Sequence, residues 1–294
     1  MRTLILNSKN IVANTNNSVL EYNFPAGSVY LDKAYVALQT LTMYYSTFNI
    51  TAAYNNNKMS YTWIDGNTFQ VVFPDGYYDA TGIQDYIRSV MLSNKHYLQD
   101  TATGQIIWFF GLTENPSSYS IQMNFFPINT TQYPSASYYN PSTGTATAWT
   151  VPILANSKCP YVTIPNNNFG LLIGFAPNNY PSIAQSNTST ALSFLSTFAP
   201  QLSPLSSYIL TCSLANNNFS IPNSLLFCFA PVGTIGEQFT ISPYSFSFIP
   251  ILTGSYTSFR VQLTDQNNLP VAIQDPNYVV MLVIADEDEV KGRK

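Results

Sequence analysis

Ser258-Phe259-Arg260-Val261-Gln262-Leu263-Thr264 places Phe259, Val261 and Leu263 at every second position, with Arg260 and Gln262 between them. Side chains alternate across a strand, so this spacing predicts a β-strand with one buried and one wet face. Asp265-Gln266-Asn267-Asn268-Leu269-Pro270 follows as a loop, and residues 278–285 are apolar enough for a strand buried on both faces.

The same pattern, short runs of Val, Ile, Tyr, Phe and Thr bounded by turn residues, recurs along the chain. Strands are expected at 19–24, 207–214, 225–230, 238–242 and 246–252, and the run at 35–45 is long enough to bend or bulge. Residues 59–64 and 68–73 flank Asp65-Gly66-Asn67, a hairpin signal because Gly accepts the positive φ of such turns. Residues 105–112 and 120–126 read as a second pair. Against this background, 80–92 places Ile83, Tyr86, Ile87, Val90 and Met91 on one face of a helix, with Asp85 and Arg88 spaced to pair on its outer side. Residues 127–207 differ, being loaded with Pro, Asn, Ser, Thr and Tyr. A structureless loop of that length is unusual in a compact domain, so the segment is expected to carry a small sheet of its own. The reading is an all-β protein with one short helix: a jelly-roll β-sandwich body at 1–126 and 208–285, a smaller inserted region at 127–207 projecting from it, and a charged tail at 286–294.

Composition limits the function. Only 9% of the 294 residues are charged, against about a quarter in ordinary globular proteins, while 15% are aromatic. The aromatic content argues for a packed fold rather than disorder. A formal net charge of −4 gives no basic footprint, so no specific nucleic-acid partner is expected. No secretory signal or transmembrane segment is read, and Asn-x-Ser/Thr triplets at Asn16, Asn49, Asn129, Asn187 and Asn218 are taken as products of composition. Cys159, Cys212 and Cys228, widely spaced in apolar surroundings, read as small buried hydrophobes in a reducing compartment.

The groups that enzymes need are scarce. His96 is the sole histidine and no Gly-x-Ser-x-Gly turn accompanies it, so it reads as a surface or capping residue. Asp75 and Asp79 precede the helix, and Asp79 is expected to cap its N-terminus rather than form a glycosidase pair with Asp75 or Asp265. Phosphate-binding and calcium-loop patterns are missing, and Phe169-Gly170-Leu171-Leu172-Ile173-Gly174-Phe175 reads as a tight apolar turn on the core. No catalytic residue, cofactor site or metal site is therefore expected. The tail, Asp286-Glu287-Asp288-Glu289-Val290-Lys291-Gly292-Arg293-Lys294, reads either as a solvated terminus or as an arm docking on a neighbour. Tyr133, Tyr138, Tyr139 and Tyr180 either anchor a binding surface or pack their own region.

Three stretches carry a family resemblance. They are Phe73-Pro74-Asp75-Gly76-Tyr77-Tyr78 with the helix through Leu92; the glycine-flanked apolar run from Phe169, continued by Ala176-Pro177-Asn178-Asn179-Tyr180-Pro181; and the ending from Phe259 through Val271 with 278–284. Together the chain resembles the penton (vertex) capsid proteins of virophages and polinton-like viruses. The resemblance implies a single jelly roll that forms homopentamers at icosahedral vertices. It implies contacts with a double jelly-roll major capsid protein, and with minor capsid proteins or a host surface receptor. It also implies assembly in host cytoplasm and location in the virion. The alternative reading is a jelly-roll head that binds carbohydrate or a receptor through its Tyr- and Asn-rich loops.

Overall fold

The computed structural model describes residues 1–141, 159–182, 190–202 and 205–292. The chain divides into two compact units, one formed by Met1–Phe48 with Leu205–Lys294 and the other by Asn49–Pro204.

The first unit is built on β1 (Arg2–Leu6), β2 (Val19–Asn23), β3 (Ala34–Tyr44), β4 (Tyr208–Cys212), β5 (Leu225–Phe229), β6 (Gln238–Ile241), β7 (Ser258–Thr264) and β8 (Val279–Asp286). One sheet runs β1-β8-β3-β6 and the other β2-β7-β4-β5, with every neighbouring pair antiparallel. That order is a jelly roll, in which two Greek keys carry the chain back and forth between facing sheets. The second unit is inserted in the β3–β4 connection.

Alternation explains the core. In β7, Phe259, Val261 and Leu263 are buried and Arg260 is exposed, where it donates to Glu21 Oε2 on β2 at 3.1 Å. They meet Leu20 of β2, Leu210 of β4 and, from the facing sheet, Leu38 and Leu41 of β3 and Val280, Leu282 and Ile284 of β8. Val283 and Ala285 are buried too, so β8 is covered on both faces over its C-terminal half. β3 is bulged as its length suggests: Met281 pairs with Thr40 and Leu282 with Leu38, which leaves Gln39 as the extra residue.

A second bulge corrects one expectation. Leu210 pairs with Phe227 and Thr211 with Leu225, so Leu226 is extra and the alternation of β5 changes phase. Phe227 and Phe229 then pack on the core and Cys228 turns outward, exposed, while Cys159 and Cys212 are buried as read.

Strand direction sorts the connections of the roll. Those between β2 and β3, β4 and β5, and β6 and β7 lie at one end, and the rest at the other. At the first end, Val29–Leu31 pairs with Gly254–Tyr256, Thr253 Oγ1 donates to Asp32 at 3.1 Å, and Asn216 N donates to Pro250 O at 2.9 Å. At the second, Gly236 N donates to Tyr45 O at 2.8 Å and Asn17 Nδ2 to Ile273 O at 2.8 Å.

In the second unit, Lys58–Thr62 and Thr68–Val72 form the hairpin read around Gly66, whose φ is +92°. Helix α1 (Ala80–Ser93) buries Ala80, Ile83, Ile87 and Met91, and Asp79 caps it by accepting from Gly82 N at 2.6 Å. Asp85 does not take Arg88: the guanidinium donates to Phe110 O at 3.4 Å and lies 5.5 Å from the Trp108 ring centroid. The run read at 105–112 is two strands. Ile106–Ile107 pairs with Leu98–Asp100, and Phe110–Asn115 pairs with Ser120–Phe125.

Composition places the insertion at 127–207, but the unit opens at Asn49. Tyr161–Ile164 pairs with Lys58–Thr62, and Leu192–Leu195 with Ser120–Phe125, so strands on both sides of residue 127 share sheets. The apolar run read as a turn is a short helix, α2 (Phe169–Ile173), closed by Gly174 at φ +79°.

Candidate functional site

The carboxylates weighed as catalytic groups serve the backbone. Asp75 accepts from Ala52 N at 2.8 Å, Asp79 holds its helix cap, and Asp265 accepts from Asn267 N and Leu269 N, both at 2.8 Å. A carboxylate committed to two turn amides is a loop brace. Among the described residues, no three His, Cys, Asp or Glu side chains come together as a metal site, and no helix is long and apolar enough to cross a membrane.

His96 departs from the sequence reading: it is buried rather than a surface or capping group. Its ring stacks on Trp63 at 4.7 Å between centroids and meets the edge of Phe69 at 4.5 Å. Nδ1 lies 2.9 Å from the Tyr61 hydroxyl, which also accepts from Asn94 Nδ2 at 3.1 Å. Burial pushes the Tyr61 hydroxyl up to about 12, so it keeps its proton. The contact is a hydrogen bond whose direction follows the imidazole tautomer. Burial lowers the pKa of His96, with Asp65 opposing more weakly, and the ring stays neutral. The arrangement is a packed aromatic box without a nucleophile. Cys159, pushed up to about 12, and Cys212, pushed up to about 11 by burial, are equally inert as thiols.

The loop tyrosines pack their own unit. Tyr133 lies edge-on to Phe109 at 5.6 Å and to Tyr138 at 5.2 Å, Tyr180 lies 5.1 Å from Phe175, and the Tyr139 hydroxyl donates to Gln99. Asn49 and Asn129 are buried, and Asn49 Nδ2 donates to the Tyr78 and Leu202 carbonyls at 2.7 Å each, so neither is a glycan acceptor. The Asn187 triplet lies outside the described residues.

The described tail is likewise no free arm. Asp286 opens α3 (Glu287–Lys291) with a capping box, Arg2 donates to Asp286 at 3.4 Å, and the N-terminal amine pairs with Glu289. That amine, with the Asp286 amide, holds the Glu289 carboxyl below its usual range. The tail helix is tied to the chain's own N-terminus.

The first unit leaves several large apolar side chains exposed. Phe219 (101%) and Ile221 (96%) stand out from the β4–β5 connection and Tyr244 (107%) from the β6–β7 connection, with Tyr30 (66%) in the β2–β3 connection. All four stand at the end of the roll opposite the one where the chain leaves for the second unit. Scattered exposed apolar residues are ordinary, but three almost fully exposed ones on two linked loops, beside Tyr30 on a third, mark an interaction surface. The sequence held a signal for them: Phe219 and Ile221 interrupt the polar run Asn216-Asn217-Asn218 to Asn223-Ser224 with no strand alternation to bury them.

No protein-family model matches the chain, and no curated protein matches it. Among solved structures, the chain is similar to the mavirus penton protein, at 11% identity and a TM-score of 0.43 over 96% of each chain. It is also similar to a chain in the structure of the Sputnik virophage, at 11% identity and a TM-score of 0.36 over 99% of each chain. At TM-scores below 0.5 neither likeness bears weight; the jelly roll rests on this chain's own strand order.

Proposed function

We propose that the chain is a structural capsid protein, a penton whose homopentamers close the fivefold vertices of an icosahedral virus shell. The observation that carries this reading is the exposed apolar end of a jelly roll, with Phe219, Ile221 and Tyr244 standing clear of their own unit. A roll presents the same edges and ends on every copy, so side-by-side contacts between different faces make a ring where the rotation from copy to copy closes. Low surface charge suits such contacts, because fewer ions lose water on assembly. The second unit, inserted in the β3–β4 connection, projects from the shell in this reading. The other partners in this reading are a double jelly-roll major capsid protein and either minor capsid proteins or a host surface receptor, with assembly in host cytoplasm. The braced carboxylates and the boxed histidine support a structural rather than an enzymatic role.

Native mass measurement of the purified full chain, alone and mixed with the major capsid protein of the same virus, tests the proposal. The expected species is five copies of the chain. A chain that stays monomeric under both conditions, or forms another closed ring, overturns it.

A further inference from the structure

In the second unit, the hairpin of Phe110–Asn115 and Ser120–Phe125 turns through Pro116–Ser118 and Tyr119. Beside that turn, Gln201 is held by its backbone N–H, which donates to Leu172 O at 3.0 Å and Leu171 O at 3.2 Å. Between the hairpin and the strap of residues 196–202 lies an open cleft of 480 Å³, within the volume range of small-molecule sites. Ile121, buried in the core, and Leu202 give it an apolar floor. Tyr119 stands at the rim with 77% of its surface exposed. Glu114, Asn115 and Gln201 complete the wall, and among the described residues their side chains and the Tyr119 hydroxyl meet no hydrogen-bond partner.

We propose that this cleft is a binding site for an N-acetylhexosamine. The lining contains no Arg, Lys or His, so nothing in it compensates a phosphate or carboxylate, and an anionic ligand is disfavoured. An apolar floor beside an exposed aromatic ring favours a ligand with one apolar face, which a pyranose offers through its C–H bonds. Carboxamides both donate and accept, and so match neighbouring hydroxyls, whereas the Glu114 carboxylate calls for a donor. The acetamido N–H adds a donor to those of the hydroxyls, and its methyl suits the floor at Ile121 and Leu202. A plain hexose has the hydroxyls but lacks the methyl.

Saturation-transfer NMR on the full chain, with N-acetylglucosamine, N-acetylgalactosamine and glucose as separate probes, tests this site. Transfer to the acetyl methyl of at least one N-acetyl sugar is expected, with glucose binding about tenfold more weakly. Tyr119→Asn removes the ring yet suits the left-handed backbone there (φ +49°), and should weaken binding about tenfold, as should Glu114→Gln. Melting curves for each variant verify the fold, and Glu114→Gln carries the test should Tyr119→Asn melt early. Absence of transfer to both N-acetyl sugars, or unchanged binding in folded Tyr119→Asn and Glu114→Gln proteins, overturns the proposal. The readout is independent of assembly, so a pentamer without sugar binding, or sugar binding without a pentamer, separates this site from the capsid reading.

Discussion

At the scale of the residue, His96 shows how a titratable group becomes structural. Trp63, Phe69 and Tyr61 surround it, its Nδ1 lies 2.9 Å from the Tyr61 hydroxyl, and burial among these rings disfavours the charged imidazolium. Its folded pKa is depressed below 6.5, so between the two values the unfolded chain binds a proton that the folded chain does not. Stability therefore rises with pH through that window. The contribution is complete above the unfolded pKa and is lost as pH falls from there toward the folded one. Urea unfolding followed between pH 5 and pH 8 should show a midpoint that is flat near pH 8 and falls below about pH 6.5. His96→Phe, which keeps an aromatic ring in the box, should flatten that fall; an identical pH dependence in the variant would refute the assignment. Little of this was legible in the sequence, where His96 follows a helix in polar company. Its partners lie in a hairpin 27 to 35 positions earlier, and only strand pairing brings them to it.

At the scale of the element, the glycine that closes α2 is held by two constraints at once. Gly174 has φ +79°, and a methyl added there would run into the Phe198 carbonyl oxygen and Ser196. Its own carbonyl accepts from Thr197 N at 2.8 Å, so the strap it touches cannot withdraw without losing that bond. Gly66 shares the positive φ, but an added methyl there meets open space. Gly174→Ala should therefore cost about 2–4 kcal/mol in urea unfolding, from backbone strain plus overlap, and Gly66→Ala about 1–2 kcal/mol from backbone strain alone. Equal costs at both sites would show that crowding at Gly174 contributes nothing. Elements of this kind were partly legible. Alternation located β7, a continuous apolar run located β8, and the offsets of Ile83, Ile87 and Met91 gave α1, because each pattern records which side chains the neighbouring surfaces must bury. Phase changes were not legible: the extra Leu226 that turns Cys228 outward leaves no mark in composition. Nor was the opening of the second unit at Asn49, since that boundary depends on which strands pair rather than on what they contain.

At the scale of the whole molecule, strand order and loop chemistry meet in one prediction. The jelly roll gathers the β2–β3, β4–β5 and β6–β7 connections at one end, and there Phe219, Ile221 and Tyr244 are almost wholly exposed. Such side chains add nothing to the folding of their own unit, because removing atoms already in water leaves no cavity. Their burial is worth something only when a partner covers them, at about 25 cal/mol for each Å² of apolar surface removed from water. Replacing all three with Ser should leave the melting temperature of the separated chain within about 2 °C, since surface changes of this kind alter stability little. The same variant should lose the five-copy species at concentrations where the unaltered chain forms it. A matched triple replacement of Val72, Leu92 and Leu195, apolar residues exposed in the second unit, controls for a general loss of stickiness and should leave the ring intact. Native mass and light scattering on the three proteins decide the matter. Persistence of the ring in the Phe219, Ile221 and Tyr244 variant would move the subunit contacts away from this end of the roll, and an equal loss in both variants would reduce the surface to unspecific apolar adhesion.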